Sequence, residues 1–228
     1  MARFFNYIRT SPVLFPRCPR LLPTPSITHL HSHQMMGKIA EMRRSAFQEN
    51  LIRILRTEMN CDIELRCPKE PVKQFGGFTV DSRPGKQYLQ LRKTHNKKED
   101  IKVDATMFDG FISGESDTDV KHHISLVVDI IKGEGNNVLQ FICSAWPSTL
   151  GIEKVFRYQQ QKLVPIMNPF MGPDFKDMDE DLQESLLEYL EERGINDDLA
   201  VFLHDYVVNK DVCEHVRWMG NIKAYLEK

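Results

Sequence analysis

"HHISLVVDIIKGEGNNVLQFICSAW", residues 122–146, places two apolar runs on either side of a Gly/Asn-rich break. Each run is far shorter than the roughly 20 apolar residues a membrane span needs, and Asp129 interrupts the first. Their β-branched and aromatic content, with a turn over 133–137, predicts two long strands joined as a hairpin. Pro147 ends the second. The first carries apolar residues on both of its faces: Leu126, Val128 and Ile130 on one, Val127 and Ile131 on the other. A strand of that kind needs a cover on each side.

Working outward, alternation with period two predicts strands over 78–82, 87–93, 101–107 and 152–158, giving six in all, with a short seventh possible between Leu163 and Phe170. The stretch 109–119, "DGFISGESDTD", is rich in Gly, Ser and Asp and is expected to be a loop. Every connection between strands is short and none has room for a crossover helix, so neighbours should pair antiparallel.

Helical periodicity lies at the two ends. Ser45 with Gln48 reads as a capping box before Phe47, Leu51, Ile54, Leu55 and Met59, with Glu49, Arg53 and Arg56 on the opposite face. Pro68 and Pro71 stop that helix. After Pro173, Asp177 and Glu180 suggest a second capping box for a helix bearing Leu182, Leu186, Tyr189 and Leu190, with Gly194 as its left-handed terminator. Asn196 then caps a helix carrying Leu199, Phe202, Leu203 and Tyr206, and Asp211 with Glu214 opens a last one. Helix, antiparallel sheet, then two to three helices is an α+β arrangement.

Charge is uneven along the 228 residues. Residues 1–40 hold Arg3, Arg9, Arg17, Arg20 and Lys38 and no carboxylate, the composition of a mitochondrial transit peptide that would be removed before residues 41–228 fold. The remainder has 25 basic groups against 32 acidic ones, a net charge near −7, and 172–228 alone stands at −9. An acidic chain argues against nucleic acid as its default partner. Of five cysteines, Cys18 lies in the transit region, and Cys61, Cys67, Cys143 and Cys213 form no CxxC pair, so free thiols in a reducing compartment are expected.

"YLEERGINDDLAVFLHDYVVNKDVCEHVRWMGNIKAYLEK" (189–228), with "FTVDSRPGKQYLQLRK", "IKVDATMFDG" and "MGPDFKDMDEDL" upstream, resembles the mitochondrial glycoprotein family. These are the mitochondrial acidic matrix proteins, including the complement-subcomponent-q-binding protein, and the plant-type members are the most similar. The resemblance implies a seven-stranded, strongly twisted antiparallel sheet between terminal helices, assembled as a doughnut-shaped homotrimer in the mitochondrial matrix. It also implies a non-enzymatic, chaperone-like binding protein linked to translation, ribosome assembly and oxidative phosphorylation, with no cofactor. Relative to animal members the acidic loop is reduced to Glu115, Asp117 and Asp119. A second subunit would supply the other cover that the 122–131 strand requires; the alternative is a monomer with helices on both faces of the sheet.

The carboxylates Asp177, Asp179, Glu180, Asp181, Glu184, Glu188, Glu191 and Glu192 are the candidate partner-binding face. Glu180, Glu184 and Glu188 recur every four residues, where like charges repel on a helix. Three compensations are open: Arg53 and Arg56 of the first helix, a basic mitochondrial protein such as a ribosomal or assembly factor, or hydration. An alternative reading is RNA contact through Lys93, Lys97 and Lys98 of the sheet region, and another is an unidentified hydrolase or oxidoreductase resting on Cys143 and His204. Neighbouring helical side chains diverge by about 100°, so His204 and Asp205 read as the boundary of an apolar stripe rather than an acid/base pair. No catalytic, cofactor or metal residues are assigned. His29, His31 and His33 lie in the transit region, His122 and His123 point to opposite faces of a strand, and Cys61 with Cys67 lacks a second ligand pair. Trp146 and Trp218 are expected as a strand-end anchor and a helix-packing residue.

Overall fold

The computed structural model describes residues 29–113, 120–133, 137–159 and 170–228. The chain forms two units, Met1–Glu49 and Asn50–Lys228. Its elements are α1 (His29–Arg66), β1 (Gln74–Phe75), β2 (Phe78–Asp81), β3 (Tyr88–His95), β4 (Glu99–Thr106), β5 (Gly110–Ser113), β6 (Val120–Lys132), β7 (Asn137–Trp146), β8 (Thr149–Gln159), a 3-10 turn (Phe175–Asp177), α2 (Glu180–Glu191) and α3 (Asp197–Leu226).

All pairings are antiparallel, and seven strands follow the order β1-β2-β3-β4-β6-β7-β8. The expected fold class and six expected strands are present, and β1 and β5 are additional. β5 falls inside the stretch read as a loop. The reason is the length of β6: β4 pairs with its residues from Leu126 to Lys132, leaving an open edge from Val120 to His123, which β5 fills. Unpaired backbone groups on a sheet edge favour such an addition. The possible seventh strand of the sequence reading lies, but for Phe170, outside the described residues, as do Glu115, Asp117, Asp119 and Cys18.

One face of the sheet is the core side. Phe78, Leu89, Leu91, Ile101, Val103, Ile124, Leu126, Val128, Phe141 and Cys143 are buried there against Leu190, Ile195, Leu199, Leu203 and Val207 from the C-terminal helices. The opposite face alternates half-buried Val127 and Ile131 with polar groups. The Asp129 carboxylate accepts from Gln140 Nε2 at 2.6 Å, and Asp104 from Gln90 Nε2 at 2.7 Å.

The helices differ from expectation in three places. α1 begins at His29, so Ser45 lies within the helix, where its hydroxyl donates to Glu49 Oε1 at 3.5 Å instead of capping. Nothing between His29 and Ser45 breaks a helix except Gly37, which costs only about 1 kcal/mol there. The α2 cap is Asp179, whose carboxylate accepts from Asp181 N, and Asp177 belongs to the preceding 3-10 turn. Finally, α3 is one helix of 30 residues. Asp211 does not open a new one, because 197–219 contains neither Pro nor Gly and Lys210 and Val212 are buried along it. Gly194 (φ 79°) and the Asn196 cap on Leu199 N stand as expected.

The C-terminal half of α3 runs antiparallel to the 50–66 part of α1. Arg56 pairs with Glu227 at 2.8 Å, Met59 packs on Gly220, and His215 meets Asp62 at 2.7 Å. Trp218 does not pack between helices: it is 57 % exposed and stacks on His215.

Candidate functional site

α2 is held from its ends. At its start Asp179 caps the Asp181 amide at 3.1 Å while Gln183 Nε2 donates to Met178 O at 2.8 Å. At its end Arg193 is buried beside the start of β4, donating through Nε and Nη2 to the two Glu99 oxygens at 2.9 and 3.2 Å and through Nη1 to Tyr189 O at 2.7 Å. Its guanidinium lies 3.5 Å from the centre of the Tyr189 ring, a stacked cation–π contact. Lys132 adds a third bond to Glu99 at 3.1 Å. Burial pushes the Glu99 carboxyl up, but the hydrogen bonds from Lys132 and Arg193 outweigh it and hold the group below the usual carboxylate range.

Between these anchors the candidate face stands outward. Asp177, Asp179, Glu180, Asp181, Glu184, Glu188, Glu191 and Glu192 are all exposed. Glu180, Glu184 and Glu188 form no ion pair with a described residue, and Glu192 reaches only Arg193, at 3.6 Å. Compensation by the first helix is ruled out: Arg56 is engaged with Glu227, and Arg53 donates to Asn50 at 3.0 Å. Leu182, read as part of the buried stripe, is also largely exposed, so the face mixes carboxylates with an apolar side chain.

The lysines of the RNA reading are split. Lys93 is committed, its ammonium donating to Gly76 O at 3.1 Å and Arg193 O at 3.2 Å over the Phe78 ring, whereas Lys97 and Lys98 are exposed in the β3–β4 turn. Among the described residues no group of three potential ligands could hold a metal ion. The side chains of His29, His31 and His33 are not among those described.

One constellation escaped the sequence reading. His123 Nδ1 lies 2.8 Å from Asp109 Oδ1 and its Nε2 lies 2.9 Å from Ser144 Oγ, the connectivity of a Ser-His-Asp triad. The Ser144 hydroxyl, however, also lies 2.9 Å from Glu153 Oε1, and its single proton cannot serve both. Ser144 sits inside β7, registered with Ser125 on one side and Gly151 on the other, so the nearby amides belong to the ladders rather than to an oxyanion hole. The four residues tie the β4–β5 link, β6, β7 and β8 together. No spacing in the sequence marks them, because strand register alone brings them close.

The two residues of the hydrolase reading are both built into the core. Cys143 is buried, and that burial pushes its thiol up to about 12, far from a nucleophilic thiolate. His204 donates from Nε2 to Ala145 O at 3.1 Å, and Asp205 turns outward to solvent, so the pair shares no proton.

Comparison with known proteins agrees with this architecture. A family model described as mitochondrial glycoprotein matches residues 56–226. A mitochondrial protein of Arabidopsis thaliana is 29 % identical over 196 residues, 81 % of this chain and 77 % of that protein. The mitochondrial acidic protein mam33 of Schizosaccharomyces pombe is 26 % identical over 106 residues, 42 % of this chain and 39 % of that protein. Among solved structures, the p22 protein of Trypanosoma brucei superposes with a TM-score of 0.67 at 24 % identity, covering 79 % of this chain and 99 % of its own. A Leishmania major protein described as a homologue of human p32 gives 0.59 at 18 % identity over 78 % and 98 %. With the matched segment running from α1 to the end of α3, the chain belongs to the mitochondrial glycoprotein family.

Proposed function

We propose that the protein is a non-enzymatic, chaperone-like binding protein of the mitochondrial matrix, an acidic homotrimeric scaffold that holds basic partners such as ribosomal or assembly factors. It would act in translation, ribosome assembly and the building of the oxidative phosphorylation machinery, after removal of residues 1–40. The carrying observation is the acidic face at α2: eight exposed carboxylates, five on the helix and three in its caps and the preceding turn, without a described cation to balance Glu180, Glu184 and Glu188. A rigid, uncompensated negative face attracts Arg- and Lys-rich surfaces and raises their rate of encounter. The name of the S. pombe relative, an acidic mitochondrial protein, is consistent with this reading.

Titration calorimetry with a purified Arg-rich ribosomal protein tests it. Affinity should fall about tenfold or more between 0.05 and 0.3 M salt, because exposed charges are screened beyond roughly 8 Å at 0.15 M. Reversal of Glu180, Glu184 and Glu188 to Lys should abolish binding, whereas Glu184→Gln with Glu188→Gln, which removes like-charge repulsion within α2, should weaken it while raising thermal stability slightly. Salt-insensitive binding would sink the proposal. RNA crosslinking that depends on Lys97 and Lys98, and survives those reversals, would favour the alternative.

A further inference from the structure

The link between β4 and β5 packs on the core through Met107 and Phe108, and Phe108 lies between two histidines. Its ring centre is 4.7 Å from that of His122 on β6 and 5.5 Å from that of His204 on α3. His204 is only 9 % exposed, and its Nε2–H donates to a carbonyl, so the other ring nitrogen carries only a lone pair in the neutral form. The link is also held by Met107 N to Gln87 O at 3.2 Å, Asp109 N to His123 O at 3.1 Å, Thr106 Oγ1 to Asp109 Oδ2 at 2.9 Å and the Asp109–His123 pair. Beyond it β5 pairs only with β6 among the described strands and exposes Phe111 (61 %) and Ile112 (57 %).

We propose that His204, Phe108 and His122 form an acid-sensitive latch: protonation of His204 drives Phe108 out and frees the 107–113 arm from β6. A proton added to His204 puts a charge and a new donor among apolar neighbours. The groups facing it offset this only in part, Asp205 being the one nearby charge that favours the protonated form. From β7 the Ala145 carbonyl is already in use, from β6 His122 and His123 are the nearest titratable groups, Asp109 on the link is taken by His123, and Asp205 on α3 itself turns to solvent. α3 and β7 are locked by the core, so the piece that yields is the link.

The direction follows from burial, which holds the His204 imidazole below its ordinary value; Ala145 partly offsets this and His122 adds to it. A histidine more depressed in the closed form than in the open one favours opening as pH falls through the histidine range. The latch is closed in a neutral or alkaline compartment and loosens on acidification.

Hydrogen–deuterium exchange of the full-length protein tests this. After correction for intrinsic exchange rates, protection over 107–113 should fall about fivefold from pH 7.5 to 5.5, within the tenfold per pH unit that one linked proton allows. His204→Gln, whose amide can still donate to Ala145 O but cannot ionise, should flatten that change. An unchanged pH response in His204→Gln, or none in the parent protein, would overturn the latch. Proton NMR of the unsubstituted protein gives a check that needs no variant: the His204 ring must titrate below a free histidine, and titration at or above it refutes the mechanism.

Discussion

Arg193 shows what one side chain contributes here. It closes α2, braces the turn into α3 and shares Glu99 with Lys132, while its own backbone carbonyl accepts from Lys93. Truncating it leaves the Glu99 charge largely buried and short of a partner, so Arg193→Ala should cost about 3–5 kcal/mol in urea unfolding. Arg193→Lys should recover only part of that, since an ammonium cannot make the two-pronged contact. The same pair sets an acid limit. Glu99 titrates below the ordinary carboxylate range in the fold, so its contribution is present above that range and drains away as pH falls through it. The pH dependence between about 5 and 3 should therefore flatten in Glu99→Gln.

Helix α3 is the element whose local signals mislead. Asp211 with Glu214 three residues on has the spacing of a helix start, yet the backbone passes through without a break. Propagating a helix costs less than starting one, and no residue before Gly220 opposes propagation. Val212→Pro separates the two arrangements. At the first position of a new helix proline is tolerated, but inside a continuous one it removes a hydrogen bond and costs about 3 kcal/mol or more. The continuous helix predicts a lowered urea midpoint and loss of helical circular dichroism. Unbroken passage matters to the fold because the first half of α3 covers the sheet and the second half meets α1.

For the molecule as a whole, the face of the sheet away from α2 and α3 mixes Val127 and Ile131 with Asp129, Gln140 and Asp104. A mixed face of this kind suits an assembly better than a dry core, and the homotrimer proposed above would use it. Sedimentation at micromolar concentration should give a mass of three chains, and a single-chain mass across the range would remove the trimer. What the sequence by itself determined was what short-range pattern can encode: six strands from alternation, Gly194 and Asn196 as the stop and start around the α2–α3 turn, the acidic stripe, and a family resemblance strong enough to give the class of fold. Where helices begin was less legible, because capping residues such as Ser45 and Asp211 also serve inside helices. Tertiary structure alone decided which charges meet: Arg56 pairs with Glu227 and Arg53 bonds Asn50 rather than α2, Lys93 is consumed by two carbonyls, and His123 is set between Asp109 and Ser144. Those meetings depend on strand register and helix placement, which couple residues up to 171 positions apart, and no local spacing records them.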